Sequence, residues 1–164
     1  MIFLTLGTQL PFERLVRAVD DWAGARERGA EVFAQIPDPG EGGYVPRHME
    51  WTARLAPEDF TRRCESAQVI VSHAGMGSII TALSLAKPLI LMARRSALGE
   101  HRNDHQSATA KRFGDRPGLF VAEDTVALEA LLDRAESLTG ETGAGLLPFA
   151  EDRLIGAVRG AILG

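Results

Sequence analysis

The sequence predicts an α/β fold, a Rossmann-like parallel sheet of about six strands with helices on both faces. Three observations carry this. Short apolar runs alternate along the chain with stretches of helical period. The runs are apolar at nearly every position rather than at every second one, as strands covered on both faces are. Glycine, proline or a polar cluster follows the runs, where a strand must hand the chain over to a helix. No repeat and no shift in composition divides the 164 residues, so residues 1–164 are expected to form a single domain.

The elements follow in order. Residues 2–6 form a first strand, stopped by Gly7-Thr8. Residues 12–27 place Phe12, Leu15, Val16, Val19 and Trp22 near a 3.6-residue period, a helix with one apolar face. Residues 31–36 are a second strand, ended by Pro37. Residues 37–47, with Pro37, Pro39, Gly40, Gly42, Gly43 and Pro46, are expected to be a loop, and a mobile one. Residues 51–55 give a third strand. Residues 57–65 give a helix with Pro57 in its first turn, where the missing N–H does no harm. The clearest strand is 69–72. After a glycine turn, 78–85 continues as a helix that Lys87-Pro88 ends. Residues 89–92 form the fifth strand, 94–103 a polar loop, and 104–113 a helix with Asp104 as candidate N-cap. A short strand at 119–121 precedes a helix over 125–135, capped by Thr125, with Leu128, Leu131 and Leu132 turned inward. A glycine-rich link at 140–145 leads to a terminal helix near 149–162. That helix either faces a partner or packs on its own domain.

An apolar content of 45% with 24% charged residues is ordinary for a globular chain. The net charge of −4 argues against a broad nucleic-acid surface. Cys64 stands alone, which excludes an intrachain disulfide, fits a reducing cytoplasm, and reads as a small core residue. The opening residues lack the basic flank and the longer apolar stretch of a signal peptide. No run approaches the ~20 apolar residues of a membrane span. The expectation is a cytoplasmic chain that docks onto a membrane or a membrane partner without crossing it.

Two segments carry the chemistry. His73-Ala74-Gly75-Met76-Gly77-Ser78 ends the fourth strand and opens a helix. Gly75 and Gly77 clear side chains from where phosphate oxygens would sit. The N–H groups after them, with the helix dipole, favour negative charge, and Ser78 adds a hydroxyl. No lysine follows the glycines, so this is neither a P-loop nor a GxGxxG fingerprint. Helix capping is the plain alternative. His73 is either a satisfied core histidine or a residue of the site. Gly7 and Thr8, at the end of the first strand, allow a ligand to approach the backbone or simply turn the chain.

The second segment is Gly99-Glu100-His101-Arg102-Asn103-Asp104-His105-Gln106. Glu100 can accept two ribose hydroxyl bonds, or sit in water. Asp104 can bind sugar or cap its helix. His105 and Gln106 are consecutive, so one helix start can present both to a sugar. A metal on His101, Asp104 and His105 is set aside, because no further His/Cys/Asp cluster completes a tetrahedral set. Arg94 and Arg95 can pair with a phosphate or a sugar carboxylate, or remain solvated.

Leu6-Gly7-Thr8 with Phe12, then Ser72 to Ser78, then Lys87-Pro88-Leu89-Ile90, then Gly99 to Gln106, resemble glycosyltransferase family 28 over about residues 1–125. They are most similar to the stand-alone C-terminal half of that family. Such chains occur as the donor-binding subunit of the split dolichol-linked N-acetylglucosaminyltransferase and as bacterial partners in exopolysaccharide and capsule synthesis. The resemblance implies one half of a GT-B glycosyltransferase that binds a UDP-sugar. Phosphate contacts would come from Gly75–Ser78, including Met76, and sugar contacts from His105 and Gln106. Uracil would lie near Ala56-Pro57. No cofactor and no essential metal are implied. The acceptor half, and with it the general base, is expected on a membrane-anchored partner that holds a lipid-linked acceptor. Single-chain relatives carry a ribose-binding Glu where this sequence has Thr81, so Glu100 takes that role or the ribose is held differently. One domain is half of what a GT-B transferase needs, which agrees with the split reading. The competing readings are a non-catalytic module that enhances a partner transferase, and a sugar-nucleotide epimerase, which should carry a second domain.

Overall fold

The computed structural model describes residues 1–7 and 10–141. Six parallel strands form one sheet: β1 (Ile2–Thr5), β2 (Val32–Gln35), β3 (Glu50–Thr52), β4 (Val69–His73), β5 (Leu89–Met92) and β6 (Leu119–Ala122). Their spatial order is β3-β2-β1-β4-β5-β6. This is the doubly wound arrangement, in which the chain runs outward in one direction from β1 and then returns to start again beside it at β4. The gap beyond the carboxyl ends of β1 and β4 is therefore the topological switch point.

The α-helices between the strands are α1 (Glu13–Ala25), α2 (Pro57–Ser66), α3 (Met76–Ser84) and α4 (His105–Phe113), and α5 (Thr125–Asp133) and α6 (Ala135–Leu138) follow the last strand. Successive strand residues face opposite sides, so the sheet makes two cores. On one face Ile2, Leu4, Val69, Val71, Ile90 and Met92 pack with Leu15, Val19 and Trp22 of α1, Leu128 and Leu132 of α5, and Leu138 of α6. On the other face Phe3, Ile70, Leu89 and Leu91 pack with Cys64 of α2 and with Ile79 and Ala82 of α3. Burial pushes the Cys64 thiol up to about 11, which keeps it an inert core group.

Several boundaries move from the expected ones. Only Glu50–Thr52 of the third strand pairs with β2, and the chain has left the sheet before Leu55. The helix after the glycine turn begins at Met76 rather than at 78, because Gly75 is still extended (φ −100°, ψ 141°) and the chain winds at once after it. Thr125 does not cap α5. Asp124 does, its carboxylate accepting from Ala127 N–H at 2.8 Å. The loop at 37–47 is not free throughout. The buried Asp20 of α1 accepts from the Tyr44 hydroxyl at 2.6 Å and from the backbone N–H groups of Arg47, His48 and Met49. The terminal helix expected near 149–162 lies outside the described residues. Among the described residues, no helix is long and apolar enough to cross a membrane.

Candidate functional site

The switch point brings the ends of β1 and β4 together. Gly7, just past β1, has φ +69°, a left-handed conformation that favours glycine. Thr8 lies outside the described residues. Past β4, the Ala74 N–H still reaches the Met92 carbonyl of β5 at 3.2 Å, and α3 then starts at Met76. Among the described residues no side chain caps α3. The first N–H groups of an uncapped helix are unpaired and carry the positive end of its dipole, which is a seat for an anion.

The two glycines of this turn have different reasons. A Cβ on Gly77 would meet nothing within 4 Å, so this position borders open space, as a phosphate cradle requires. A Cβ on Gly75 would lie 2.3 Å from His73 Nε2. Gly75 is therefore fixed by the imidazole beside it. A Cβ on Gly7 would stand 3.9 Å from the same ring, so His73 sits between the two strand ends. Burial, with the nearby positive charge of Arg94 and the His101 ring, lowers the His73 pKa to about 4, and the ring is neutral at neutral pH.

Ser72, a buried polar residue in an otherwise apolar strand, organises the turn from below. Its hydroxyl lies 2.6 Å from the Thr5 carbonyl, which can only accept, and 2.8 Å from Ser78 Oγ. The Ser72 proton therefore goes to Thr5, and Ser78 donates to Ser72. That leaves Ser78 its lone pairs but spends its proton inward.

The segment from 94 to 106 is braced by the side chains read as sugar contacts. The Glu100 carboxylate accepts from Arg14 Nε at 2.7 Å, Arg14 Nη2 at 2.9 Å and Arg95 N–H at 2.8 Å. Burial alone would raise its pKa, but these donors hold it below the usual carboxylate range. Asp104 occupies the N-cap position of α4 without capping it. Its carboxylate instead accepts from the Ser96 N–H at 2.9 Å and the Ser96 hydroxyl at 2.8 Å, and these bonds lower its pKa. Gln106 turns its side-chain carbonyl back to the Arg94 N–H at 3.1 Å. Three of the residues expected to touch sugar thus use at least part of their bonding capacity on the loop. His105 is different. It is exposed and lines a groove of about 490 Å³ with Met76 at the start of α3 and Ala108, Thr109, Arg112 and Phe113 on α4. His101 is half-buried and accepts from the Asn103 N–H at 3.4 Å. Among the described residues, no three His, Cys, Asp or Glu groups come together as a metal set.

The two arginines after β5 also part company. Arg95 donates to the Glu123 carbonyl from an exposed position. Arg94 is only 3% exposed and donates to the Leu10 carbonyl at 2.6 Å. Sequence reasoning missed Arg14, which fixes Glu100. The signal was present, since Arg14 sits in the first turn of the helix after β1 and so at the carboxyl edge of the sheet. A pocket of about 840 Å³ runs along α2 past Leu55, Asp59, Arg62 and Arg63. It adjoins the Ala56-Pro57 turn but shares no residue with the switch point, and its wall includes the exposed ion pair of Arg62 with Asp59.

A family model described as the glycosyltransferase family 28 C-terminal domain matches residues 1–134. The UDP-N-acetylglucosamine transferase subunit ALG13 of Eremothecium gossypii is 39% identical over 84 residues, which is 51% of this chain and 38% of that protein. The chain thus matches well under half the length of this curated relative. Among solved structures, the NMR structure of ALG13 superposes with a TM-score of 0.54 at 17% identity, covering 96% of this chain and 93% of that one. The calicheamicin glycosyltransferase CalG4 superposes with the same score and identity, over 99% of this chain and 44% of that one. At these identities the likeness is one of fold: the chain has the architecture of one half of a GT-B glycosyltransferase.

Proposed function

We propose that this chain, which belongs to the glycosyltransferase family 28 C-terminal domain family, is the UDP-sugar-binding subunit of a two-component inverting glycosyltransferase. The reading extends to a hexose, uronic acid or N-acetylhexosamine as the sugar, and to a lipid-linked acceptor held by a membrane-anchored partner. The chain itself would be cytoplasmic and attached to the membrane through that partner. The observation that supports it best is the uncapped start of α3 at the switch point, with open space at Gly77. The match to a protein named as a transferase subunit supports the split arrangement.

In this reading the diphosphate sits on the N–H groups of Met76, Gly77 and Ser78. The helix dipole and these donors are stronger partners for the departing UDP than for the bound sugar nucleotide, so they lower the barrier to its departure without a metal. His105, on the groove between the start of α3 and the side of α4, faces the sugar. Neutral His73 adds no charge, and its ring shapes the turn. The ribose is left to backbone or to groups near α2, since Glu100 already holds Arg14 and Arg95. The base that activates the acceptor hydroxyl would come from the partner, whose docking would also keep water from the donor.

The test is transfer from UDP-sugars to a lipid-linked acceptor, with and without the partner subunit. Gly75→Val and His105→Ala should each cut transfer by the complex at least tenfold. Unchanged activity in both variants would sink the donor-site assignment. Full activity of the partner alone, merely raised by this chain, would instead make the chain an accessory module.

A further inference from the structure

Among the described residues two charged side chains are buried, Asp20 and Arg94, and they are treated in opposite ways. Asp20 accepts four hydrogen bonds. Arg94 donates from its side chain only to the Leu10 carbonyl, and its Nε is sealed from solvent with no partner among the described residues. It forms no ion pair there. The carboxylate whose charge reaches it, Glu100, is already bonded twice to Arg14 and once to the Arg95 N–H. The face of Phe12, with its centroid 5.1 Å from Arg14 and 5.2 Å from Arg94, supports both guanidiniums but neutralises neither. A buried cation without a counterion is costly, and proteins keep one where an anion is to come.

The position agrees. Arg94 is two residues past β5, beside the end of β4, and its bond to Leu10 spans the switch point to the segment that follows β1. Its charge is felt at His73, one residue from the glycine turn. We propose that Arg94 is an oxyanion-binding residue of the donor site, where an oxygen of the nucleotide sugar takes the place of the Leu10 carbonyl. The exchange replaces a neutral acceptor by a charged one and gives Nε a partner, so the bound state is the better bonded of the two. A diphosphate oxygen and a sugar carboxylate offer the same chemistry. The inference rests on the donor-site reading above.

The experiment is an NMR titration of the full chain carrying isotope-labelled arginine, following the Arg94 Nε–H and the amides of Gly75–Ser78. The probes are uridine, UDP, UDP-glucose and UDP-glucuronic acid. A shift of Arg94 Nε–H with UDP but not uridine assigns it to the diphosphate. A shift with UDP-glucuronic acid alone assigns it to a sugar carboxylate. Either result supports the inference, and Arg94→Lys should then weaken that ligand by roughly 10- to 100-fold, while Arg95→Lys does so far less. If the Gly75–Ser78 amides respond and Arg94 does not, the residue is a structural brace and the inference falls with the donor site intact. If neither responds to any probe, the donor site itself is wrong and the inference goes with it. The wild-type titration decides even if Arg94→Lys fails to fold.

Discussion

Between β4 and α3 the carboxyl edge of the sheet is made of backbone. Between β5 and α4 it is made of side chains. The first segment offers N–H groups, two glycines and one neutral ring, with Met76 and Gly77 facing outward. The second ties Glu100 to Arg14, Asp104 to Ser96 and Gln106 to the Arg94 backbone. Both are polar and both adjoin the switch point. One can meet a ligand as it stands, whereas the other spends most of its polar groups on its own shape. A backbone site is specified by what is absent, and a braced loop by which partner each side chain finds.

The contrast can be broken by acid. The unfolded His73 titrates near 6.5 and the folded one near 4. The unfolded chain therefore takes up the proton first, and this contribution to stability is complete above pH 6.5 and falls as the pH drops toward 4. About 3 kcal/mol is lost over that window. His73→Gln should flatten that part of a denaturation profile measured from neutral pH to pH 4, and an identical slope in the variant would show that the ring is not held neutral by its setting.

Next in size is Gly75→Val, which drives a side chain into the His73 ring. Overpacking of this kind costs about 1–3 kcal/mol, and UDP-induced thermal stabilisation should vanish with it. Glu100→Gln probes the braced side. Removing the charge that Arg14 grips should cost about 2 kcal/mol, with UDP binding falling far less than stability. A variant that loses UDP binding at full stability would return Glu100 to the ribose. The smallest effect separates the two glycines. Gly77→Ala fills open space in a helical turn, so chemical denaturation should show a gain of about 0.5–1 kcal/mol, while calorimetry shows weaker UDP binding. Unaltered binding would place the phosphates elsewhere.

Much of the architecture was legible because it rests on periodicity. The apolar runs at 2–6, 69–72 and 89–92 could only be covered strands, and the glycine turn had to lie at a strand's end. Within the candidate site, composition showed the two segments but not the pairing of their side chains. Asp104 has the residue type and position of an N-cap, yet the Ser96 N–H and hydroxyl win its carboxylate. Gly75 and Gly77 look equivalent in sequence, and only the His73 ring distinguishes them. Arg94 and Arg95 are adjacent and identical, but one step along the chain turns the first inward across the switch point and the second out to Glu123. Such choices depend on neighbours far apart in the chain, such as Arg14 and Glu100, and local pattern does not encode them.

The Asp20 carboxylate has a consequence for how this chain tolerates change. It grips the Tyr44 hydroxyl, whose pKa burial and this bond push up to about 12, and the N–H groups of residues 47–49 that lead into β3. The residues that lead into the edge strand are thus moored to α1, while β3 itself pairs with β2. Gly40 and Gly42, both at positive φ, lie on the slack side of that mooring. Chain length can vary there with little effect on the sheet, since lengthening an open loop costs little. A short glycine-serine insertion after Gly42 should leave the thermal midpoint nearly unmoved, whereas the same insertion after Pro46 should lower it clearly. That makes Gly40 and Gly42 a natural place to attach a label or a tether clear of the Asp20 mooring.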